Sequence, residues 1–228
     1  MLTDPFSLKS RSKLSPSRIA FTARARWCEY LAQRKFEAYE LPRKEIEDLP
    51  DITTAVSWDD TSVTKLQLQH LLKGLEDTEL IEGCVVELGS YRGETTIALS
   101  RHTARLVVAV DPFLGGWGAT NEDFRTFINK IQDSPKIVHV HKTSGEGASS
   151  WEYGPASFVF IDAVHNYVNV AFDISVWWPK LAVGGIMAFH DTDLRIFSGT
   201  RRAVHELVEE GTSIYAHPNN LTMLRKLK

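Results

Sequence analysis

Residues 85–95, with the sequence VVELGSYRGET, constrain the fold more than any other stretch of the chain. Residues 84–86 form an apolar run typical of a buried parallel strand, and residues 95–100 are predicted to begin a helix. Gly89 and Gly93 stand in the turn between them, where a missing Cβ allows a tight path and close approach of a ligand. A strand, a glycine-rich turn and a helix in this order predict a site where backbone N–H groups meet a nucleotide-like ligand.

The bulk properties narrow the function classes. The chain has 228 residues, is 43% hydrophobic and 24% charged, and carries a net charge of −3, which suits one globular domain with an extension. A chain with a negative net charge has no overall basic surface for nucleic acid, and only a local basic patch could bind it. We therefore expect no nucleic-acid partner. There is no apolar run of membrane-spanning length and no apolar signal core, so we expect a cytoplasmic protein without membrane contact. Cys28 and Cys84 are too few for a disulfide framework.

The first third of the chain is predicted to be an N-terminal extension of the main domain. Residues 1–16 are polar, serine-rich and basic, and are predicted to be a flexible tail. Residues 17–78 are predicted to be a helical extension that serves as a lid or an oligomer contact. It holds one helix over residues 17–40, and a second that is capped within residues 59–62 and runs to Leu75. The predicted apolar face of the second helix consists of Val63, Leu66, Leu68, Leu71, Leu72 and Leu75.

Residues 79–228 alternate between strands and helices. Predicted strands cover residues 106–110, 137–141, 157–161 and 186–189, and predicted helices cover residues 122–132, 168–181 and 199–210. Residues 213–216 and 221–227 are predicted to close the domain as a hairpin around the turn at 218–220. The fold prediction is α/β: a Rossmann-like doubly wound sheet of about seven strands, mainly parallel, with a C-terminal antiparallel hairpin.

Polar residues recur at the predicted carboxyl ends of the strands, where such sheets bind ligands. They are Glu87, Asp111, Ser144, Asp162, His190 and Asp191. Several clustered carboxylates without partners would be costly, and a ligand together with a cation would resolve that cost. The sequence therefore predicts an active site at this edge of the sheet.

Three of these residues have a specific interpretation as ligand contacts. Glu87 can accept a hydrogen bond from a ligand ammonium. Asp111 can accept both hydroxyls of a ribose, or can cap the chain before Pro112. Ser144 can contact an adenine, or can only make a turn with Gly145.

The E-x-G-x-x-x-G pattern at residues 87–93 resembles motif I of the class I S-adenosylmethionine (SAM) methyltransferases. Two further blocks, FIDAVHNY at 160–167 and GGIMAFHD at 184–191, resemble the metal-assisted O-methyltransferases of that fold. The D-x-x-H-x-Y and G-G-x-x-x-F-H-D strings within them are similar to the branch of macrolide-sugar O-methyltransferases and cephalosporin-hydroxylase-like proteins. Catechol-type O-methyltransferases share the plan more distantly. The resemblance covers roughly residues 80–193.

The resemblance implies a role for each matching position. It implies SAM binding by Glu87, Gly89, Ser90, Tyr91, Gly93, Thr95, Asp111 and Ser144, with the Thr95 hydroxyl at the cofactor's carboxylate. It implies a divalent cation, Mg²⁺ or Mn²⁺, held by Asp162, His190 and Asp191. His165 matches the general-base position, although it could instead satisfy loop carbonyls.

His190 departs from the family pattern, in which this position is usually an acid. Imidazole is a poor ligand for Mg²⁺ but suits Mn²⁺, Fe²⁺ or Zn²⁺. Three interpretations stay open at this point. His190 binds a softer metal, or it lies behind an ion that Asp162 and Asp191 hold, or there is no metal and His190 contacts substrate.

The predicted function is SAM-dependent transfer of a methyl group to a hydroxyl of a small polyhydroxylated acceptor, a sugar or a phenolic natural product. The cation would lower the pKa of the hydroxyl and His165 would take its proton. The resemblance also leads us to expect a homo-oligomer. Trp117, in a glycine-rich loop, could close over the cofactor or acceptor, or could simply pack.

Two alternatives remain at the sequence level. One is a non-catalytic SAM-binding or scaffold homologue. The other is an NAD-dependent dehydrogenase, against which the absence of G-x-G-x-x-G argues. A nucleic-acid methyltransferase is disfavoured because the chain has no N-P-P-Y-type string for a flipped base.

Overall fold

A computed structural model of the chain describes residues 3–9, 12–115 and 119–228. The strands are β1 Cys84–Leu88, β2 Val107–Val110, β3 Ile137–Val140, β4 Ala156–Ile161, β5 Leu181–His190, β6 Ser213–Ala216 and β7 Leu221–Arg225. The α-helices are α1 Pro5–Lys9, α2 Pro16–Arg34, α3 Lys65–Glu76, α4 Glu94–His102, α5 Asn121–Ile131, α6 Ser144–Ser149, α7 Tyr167–Trp177 and α8 Ser198–Glu209. Short 3₁₀ turns lie at Phe36–Tyr39, Trp58–Asp60, Trp178–Lys180 and Arg195–Phe197.

The seven strands form one sheet in the order β3-β2-β1-β4-β5-β7-β6. The pairs from β3 to β5 are parallel, whereas β7 runs antiparallel to both β5 and β6. This confirms the predicted fold class. The strand order reverses direction between β1 and β4, and in doubly wound sheets such a reversal opens a crevice at the carboxyl ends of the two strands.

Alternate side chains of each strand enter cores on opposite faces of the sheet, as the two-residue period of a strand requires. On one face Val86 and Val159 pack with helices α7 and α8 around the buried Trp177. On the other face Val85 and Phe158 pack with α3 and α4. Because both faces are covered, the central strands are largely apolar, apart from Ser157 and the residues of the candidate site.

Several predicted boundaries differ from the structure. Helix α3 begins after Thr64, whose side chain accepts from Gln67 N in a capping box, so the predicted cap within residues 59–62 is wrong. Leu66 is 41% exposed, so it does not belong to the apolar face to which it was assigned. The predicted helix at 168–181 ends at Trp177, because Pro179 follows in a 3₁₀ turn and Leu181 already begins β5.

The N-terminal region packs on the helical layer formed by α7 and α8. Residues 5–9, within the predicted flexible tail, form helix α1, in which Leu8 is buried. In α2 Ala32 is buried, whereas Trp27 and Tyr30 stack on each other on the exposed side. The division into a tail, a helical extension and a main domain stays a prediction, as does the role of the extension as a lid or oligomer contact.

Asp173 of α7 is a carboxyl group buried inside the helical layer. Burial raises its pKa to about 7, and the nearby Asp4 adds to the rise, although a hydrogen bond with Ser144 opposes it. A pKa raised in the folded state means that protonation favours folding. The stabilisation is fully present below about pH 4 and is lost as the pH rises through about 7.

The Asp173→Asn substitution is expected to stabilise the protein at pH 8, since asparagine resembles the protonated acid. We expect a gain of the order of 2 kcal/mol that shrinks on acidification and vanishes near pH 4, measured as the melting temperature across pH. Asp133→Asn, at an exposed position, is the control and should leave the pH profile unchanged. A lower melting temperature for Asp173→Asn at pH 8 would contradict the argument.

Candidate active site

The glycine-rich turn lies where the strand order reverses, between the ends of β1 and β4. Gly89 has φ of +86°, and a Cβ built on it would lie 2.2 Å from the carbonyl oxygen of Asp162. Gly93 has φ of +85° and its Cβ would lie 3.0 Å from the ring of Phe127. The positive φ values confirm the predicted tight turn, and at Gly89 the contact with Asp162 adds a packing reason that the sequence did not reveal. The turn brings motif I into direct contact with the loop after β4.

Glu87 is 1% exposed, and its carboxyl group accepts a hydrogen bond from the Thr96 hydroxyl of α4. Burial raises the pKa of Glu87 to about 8, and the acids Asp162 and Asp111 contribute to the rise. An ammonium group brought beside this carboxylate would replace the proton and hold the negative charge. The position suits the predicted role of Glu87.

Asp111, at the end of β2, is tied to the motif I turn. Its Oδ2 accepts from the backbone N–H of Ser90 at 2.9 Å and its Oδ1 from that of Phe113 at 2.8 Å. Burial raises the pKa of Asp111, which these backbone donors and His139 partly offset. Each oxygen keeps a lone pair for a ribose hydroxyl.

Ser144 and Thr95 are placed differently from one another. Ser144 begins α6, a helix that was not predicted from the sequence, and its hydroxyl accepts from Trp177 Nε1 at 2.8 Å. That hydroxyl already pairs with a side chain of α7. Its predicted contact with adenine stays a prediction. Thr95 lies at the start of α4, and its hydroxyl is 3.3 Å from that of Thr61.

Four polar side chains converge beyond β4 and β5. Asp162, His165 and His190 place one ligand atom each within 4.8 Å of the others, an arrangement that could hold a metal ion. His190 Nδ1 is 3.1 Å and His165 Nε2 is 3.4 Å from Asp162 Oδ1. Asp191 completes the cluster, with its Oδ2 3.5 Å from His165 Nε2 and its Oδ1 3.6 Å from His190 Nδ1.

The electrostatics of the cluster favour a positive charge at its centre. Burial alone would raise the pKa of Asp162, but His190 and, less strongly, His165 hold it below the usual range. Burial alone would lower the pKa of His190, but Asp162 and Asp191 outweigh it and raise that pKa. The Asp162 carboxylate therefore favours a positive charge on or near the His190 imidazole.

Residues 57–63, here called the strap, cross over the motif I turn. Ser62 Oγ donates to Asp162 Oδ2 at 3.3 Å, and the Thr61 hydroxyl lies beside Thr95. Asp60 holds the strap in place through Arg92 at 2.8 Å and Lys130 at 3.3 Å. The hydrogen bond from Arg92 is the largest influence on Asp60 and lowers its pKa. The strap thus joins motif I to the polar cluster.

Helix α2 reaches the same region through Glu29. Its carboxylate accepts from the backbone N–H groups of Tyr167 at 3.2 Å and Gly199 at 2.9 Å, at the start of α7 and α8. A carboxylate is stabilised at helix N-termini by the unpaired N–H groups and the helix dipoles. Next to this contact the Phe197 ring packs on His165, with ring centroids 4.7 Å apart.

Solved structures with the same fold were found among O-methyltransferases. The O-methyltransferase NovP is 16% identical with a TM-score of 0.59, over 71% of this chain and 79% of that one. CalS11, a TDP-rhamnose 3'-O-methyltransferase, is 16% identical with a TM-score of 0.53, over 72% of this chain and 81% of that one. An O-methyltransferase from Bacillus cereus, solved with SAH, is 13% identical with a TM-score of 0.55, over 87% of this chain and 90% of that one.

The sequence also matches a family model. Residues 86–192, from β1 to just beyond His190 and Asp191, match the family described as a methyltransferase domain. The chain thus resembles methyltransferases both in this segment of its sequence and in its fold. The resemblance to SAM-dependent O-methyltransferases drawn from the motifs is thereby confirmed. Comparison with curated proteins finds no match.

Several residues outside the matched segment contact the candidate site, although their sequence pattern did not assign them to it. They are Glu29, Asp60, Ser62, Gln67 and Asn220. The T-x-x-Q pattern at 64–67 is a capping-box signature that could have located the start of α3 and, with it, Gln67. The others have no local signal, since their partners lie far away in the chain. Trp117 lies outside the described residues.

Among the described helices none is long and apolar enough to cross a membrane.

Asp60→Asn is expected to loosen the strap over the methyltransferase's motif I turn. A partly exposed ion pair contributes about 1 kcal/mol, so we expect the dissociation constant for SAH to rise about fivefold. Isothermal titration calorimetry at low and high salt measures this effect, and high salt should reduce the difference between the variant and the wild type. The exposed neighbour Asp59, changed to Asn, should leave the affinity unchanged. Equal affinities for all three proteins would show that the strap does not cover the cofactor.

Proposed function

We propose that this protein transfers the methyl group of SAM to a hydroxyl of a small polyhydroxylated acceptor, a sugar or a phenolic natural product, with a divalent cation and His165 assisting. The convergence of Asp162, His165, His190 and Asp191 beside the motif I turn carries the proposal. Gly89 packs on the backbone of Asp162, so a cofactor on the turn and an acceptor at the cluster would be neighbours.

The donor set fits a divalent cation. Ligand atoms about 2.1 Å from one ion lie about 3.0 to 3.4 Å apart in octahedral or tetrahedral arrangements. His190 Nδ1 lies 3.1 Å from Asp162 Oδ1 and 3.6 Å from Asp191 Oδ1, in or near this range. Asp162, His190 and Asp191 would hold the ion. An imidazole among the ligands favours Mn²⁺ over Mg²⁺.

The cofactor, the cation and the protein would each supply one part of the chemistry. SAM carries a methyl group that its sulfonium already activates. The bound cation would orient vicinal acceptor oxygens and lower the pKa of a hydroxyl. The other tasks, positioning and proton removal, belong to the chain itself.

His165 would accept the proton. Its Nε2 faces Asp162 and Asp191 at 3.4 and 3.5 Å, and these carboxylates stabilise the imidazolium that forms. Phe197 packs on the imidazole ring and limits its rotation. The adjoining strap and the 3₁₀ turn at Arg195–Phe197 bound the space in which the acceptor would lie. Holding the hydroxyl in line with the methyl group supplies much of the remaining acceleration.

The comparisons support the acceptor class without specifying it. One structural neighbour is a TDP-rhamnose 3'-O-methyltransferase, an enzyme in calicheamicin biosynthesis, and its fold extends over 72% of this chain. The D-x-x-H-x-Y string is similar to the sugar branch, in which a histidine serves as the base. A sugar hydroxyl with a vicinal oxygen is therefore the first acceptor to test.

The binding test uses SAH and Mn²⁺. We expect micromolar SAH binding by calorimetry and a rise in the dissociation constant of tenfold or more in Glu87→Gln, which removes the charge that meets the ammonium. Asp162→Asn should retain SAH binding, because Gly89 packs on the Asp162 backbone, but should lose Mn²⁺ binding as measured by electron paramagnetic resonance. A folded wild-type protein without SAH affinity would refute the methyltransferase proposal, and one without Mn²⁺ affinity would refute the metal.

The catalytic test concerns His165. His165→Gln is expected to keep SAH affinity and to lower the turnover of hydroxylated sugar and phenol acceptors about 100-fold or more, since proton removal is lost. Methyl transfer is measured as SAH release. His102→Gln, a change remote from the cluster, is the control. Unchanged turnover in His165→Gln would assign proton removal to another group.

A further inference from the structure

His190 and Asp191 form hydrogen bonds with residues from two distant parts of the chain. We propose that Gln67 of α3 and Asn220 of the β6–β7 turn are positioning residues, which aim His190 Nδ1 and the Asp191 carboxylate at the cation. This inference rests on the metal site of the proposed function. It adds to that site a set of supports that lies outside residues 86–192.

Gln67 has a side-chain amide whose orientation is set by two backbone groups. Its Oε1 accepts from Thr64 N at 2.8 Å, and its Nε2 donates to the carbonyl oxygen of Asn219 at 3.0 Å. Turning the amide over would place two donors together at one end and two acceptors together at the other. The amide oxygen therefore also faces His190 Nε2, at 3.3 Å.

This orientation selects one tautomer of His190. Because Gln67 Oε1 can only accept, His190 Nε2 must carry the hydrogen. In the neutral imidazole Nδ1 is then the atom with the free lone pair, and it is the atom that lies 3.1 Å from Asp162 Oδ1. A lone pair facing a carboxylate oxygen is repulsive unless Nδ1 takes up a proton or a metal ion lies between the two atoms. Gln67, 3% exposed, thus prepares Nδ1 as a ligand before any ion binds.

Asn220 fixes the orientation of the Asp191 carboxylate. Its Nδ2 donates to Asp191 Oδ1 at 2.6 Å, and its carbonyl oxygen accepts from Asp191 N at 3.0 Å. Its other groups pair with Asp193, whose N–H donates to Asn220 Oδ1 at 3.0 Å and whose Oδ2 accepts from Asn220 N at 2.7 Å. With Oδ1 occupied by the amide, Asp191 directs its other oxygen, Oδ2, to within 3.5 Å of His165 Nε2.

The backbone at both residues shows that this arrangement is imposed. Asp191 has φ of 58° and Asn220 has φ of 57°, in the left-handed region that non-glycine residues rarely adopt. The four hydrogen bonds between residue 220 and residues 191 and 193 hold both in that conformation. Asn219, which lies next to Asn220, accepts from Gln67, so a single turn supports both His190 and Asp191.

The first test compares two substitutions of Gln67. Gln67→Leu removes the acceptor from His190 Nε2, and we expect Mn²⁺ affinity to fall 10- to 100-fold while SAH affinity stays within twofold. Gln67→Glu keeps a capping box and an acceptor for Nε2 but loses the donor to the Asn219 carbonyl oxygen, so it should retain clearly more Mn²⁺ affinity than Gln67→Leu. Glu146→Leu breaks the corresponding capping box of α6 and should leave Mn²⁺ affinity unchanged.

The second test concerns the turn. Asn220→Gly keeps the left-handed backbone and its hydrogen bonds but removes the side-chain amide, so Mn²⁺ affinity should fall about tenfold or more. Asn219→Ala, at an exposed neighbour whose carbonyl oxygen is retained, should have no effect. Wild-type Mn²⁺ affinity in folded, SAH-binding Gln67→Leu or Asn220→Gly would overturn the assignment of that residue.

A readout without metal separates this inference from the proposed function. Long-range ¹H–¹⁵N spectra of the metal-free protein at alkaline pH report the His190 tautomer. We expect the Nε2–H form in the wild type and in Gln67→Glu, and a mixture of tautomers in Gln67→Leu. Wild-type protein that fails to bind Mn²⁺ would refute the metal site, whereas an unaltered tautomer in Gln67→Leu would refute the role of Gln67.

Discussion

The contact between Gly89 and the carbonyl oxygen of Asp162 is the constraint on which the site depends. The ends of β1 and β4 must lie side by side for the sheet to continue, and the turn after β1 must leave sharply to enter α4. A Cβ at residue 89 would lie 2.2 Å from that oxygen, so the two loops can meet only through glycine. This packing places the cofactor turn next to the first residue of the polar cluster.

The same proximity concentrates negative charge in a buried space. Glu87, Asp111 and Asp162 lie close enough for the last two to raise the pKa of the first. The fold compensates in three ways: a hydroxyl donor from Thr96, backbone donors to Asp111, and imidazole groups beside Asp162. Glu87 and the polar cluster would each still favour a positive charge nearby. An ammonium would suit Glu87, and a metal ion or a proton would suit the cluster.

Segments outside the core sheet complete the site. The strap contributes Thr61 and Ser62, α2 contributes Glu29, and α3 and the β6–β7 turn hold His190 and Asp191. These contacts tie a loop, two helices and a hairpin turn to the ends of the parallel strands. The geometry at the cluster is thereby set by many weak contacts whose partners are more than 25 residues apart in the sequence.

The sequence by itself determined the fold class, the position of the cofactor turn and the acids at the strand ends. These features depend on local pattern: apolar runs, glycines and the residue that follows each strand. It did not determine the start of α3, the helix at Ser144 or the groups that orient His190 and Asp191. Only the tertiary structure decided that Gly89 meets Asp162, that the Ser144 hydroxyl is committed to Trp177, and that Gln67 selects a tautomer of His190. The physical reason is that hydrogen bonds between distant segments depend on how the helices and loops pack on the sheet, and that packing leaves no periodic trace in the sequence.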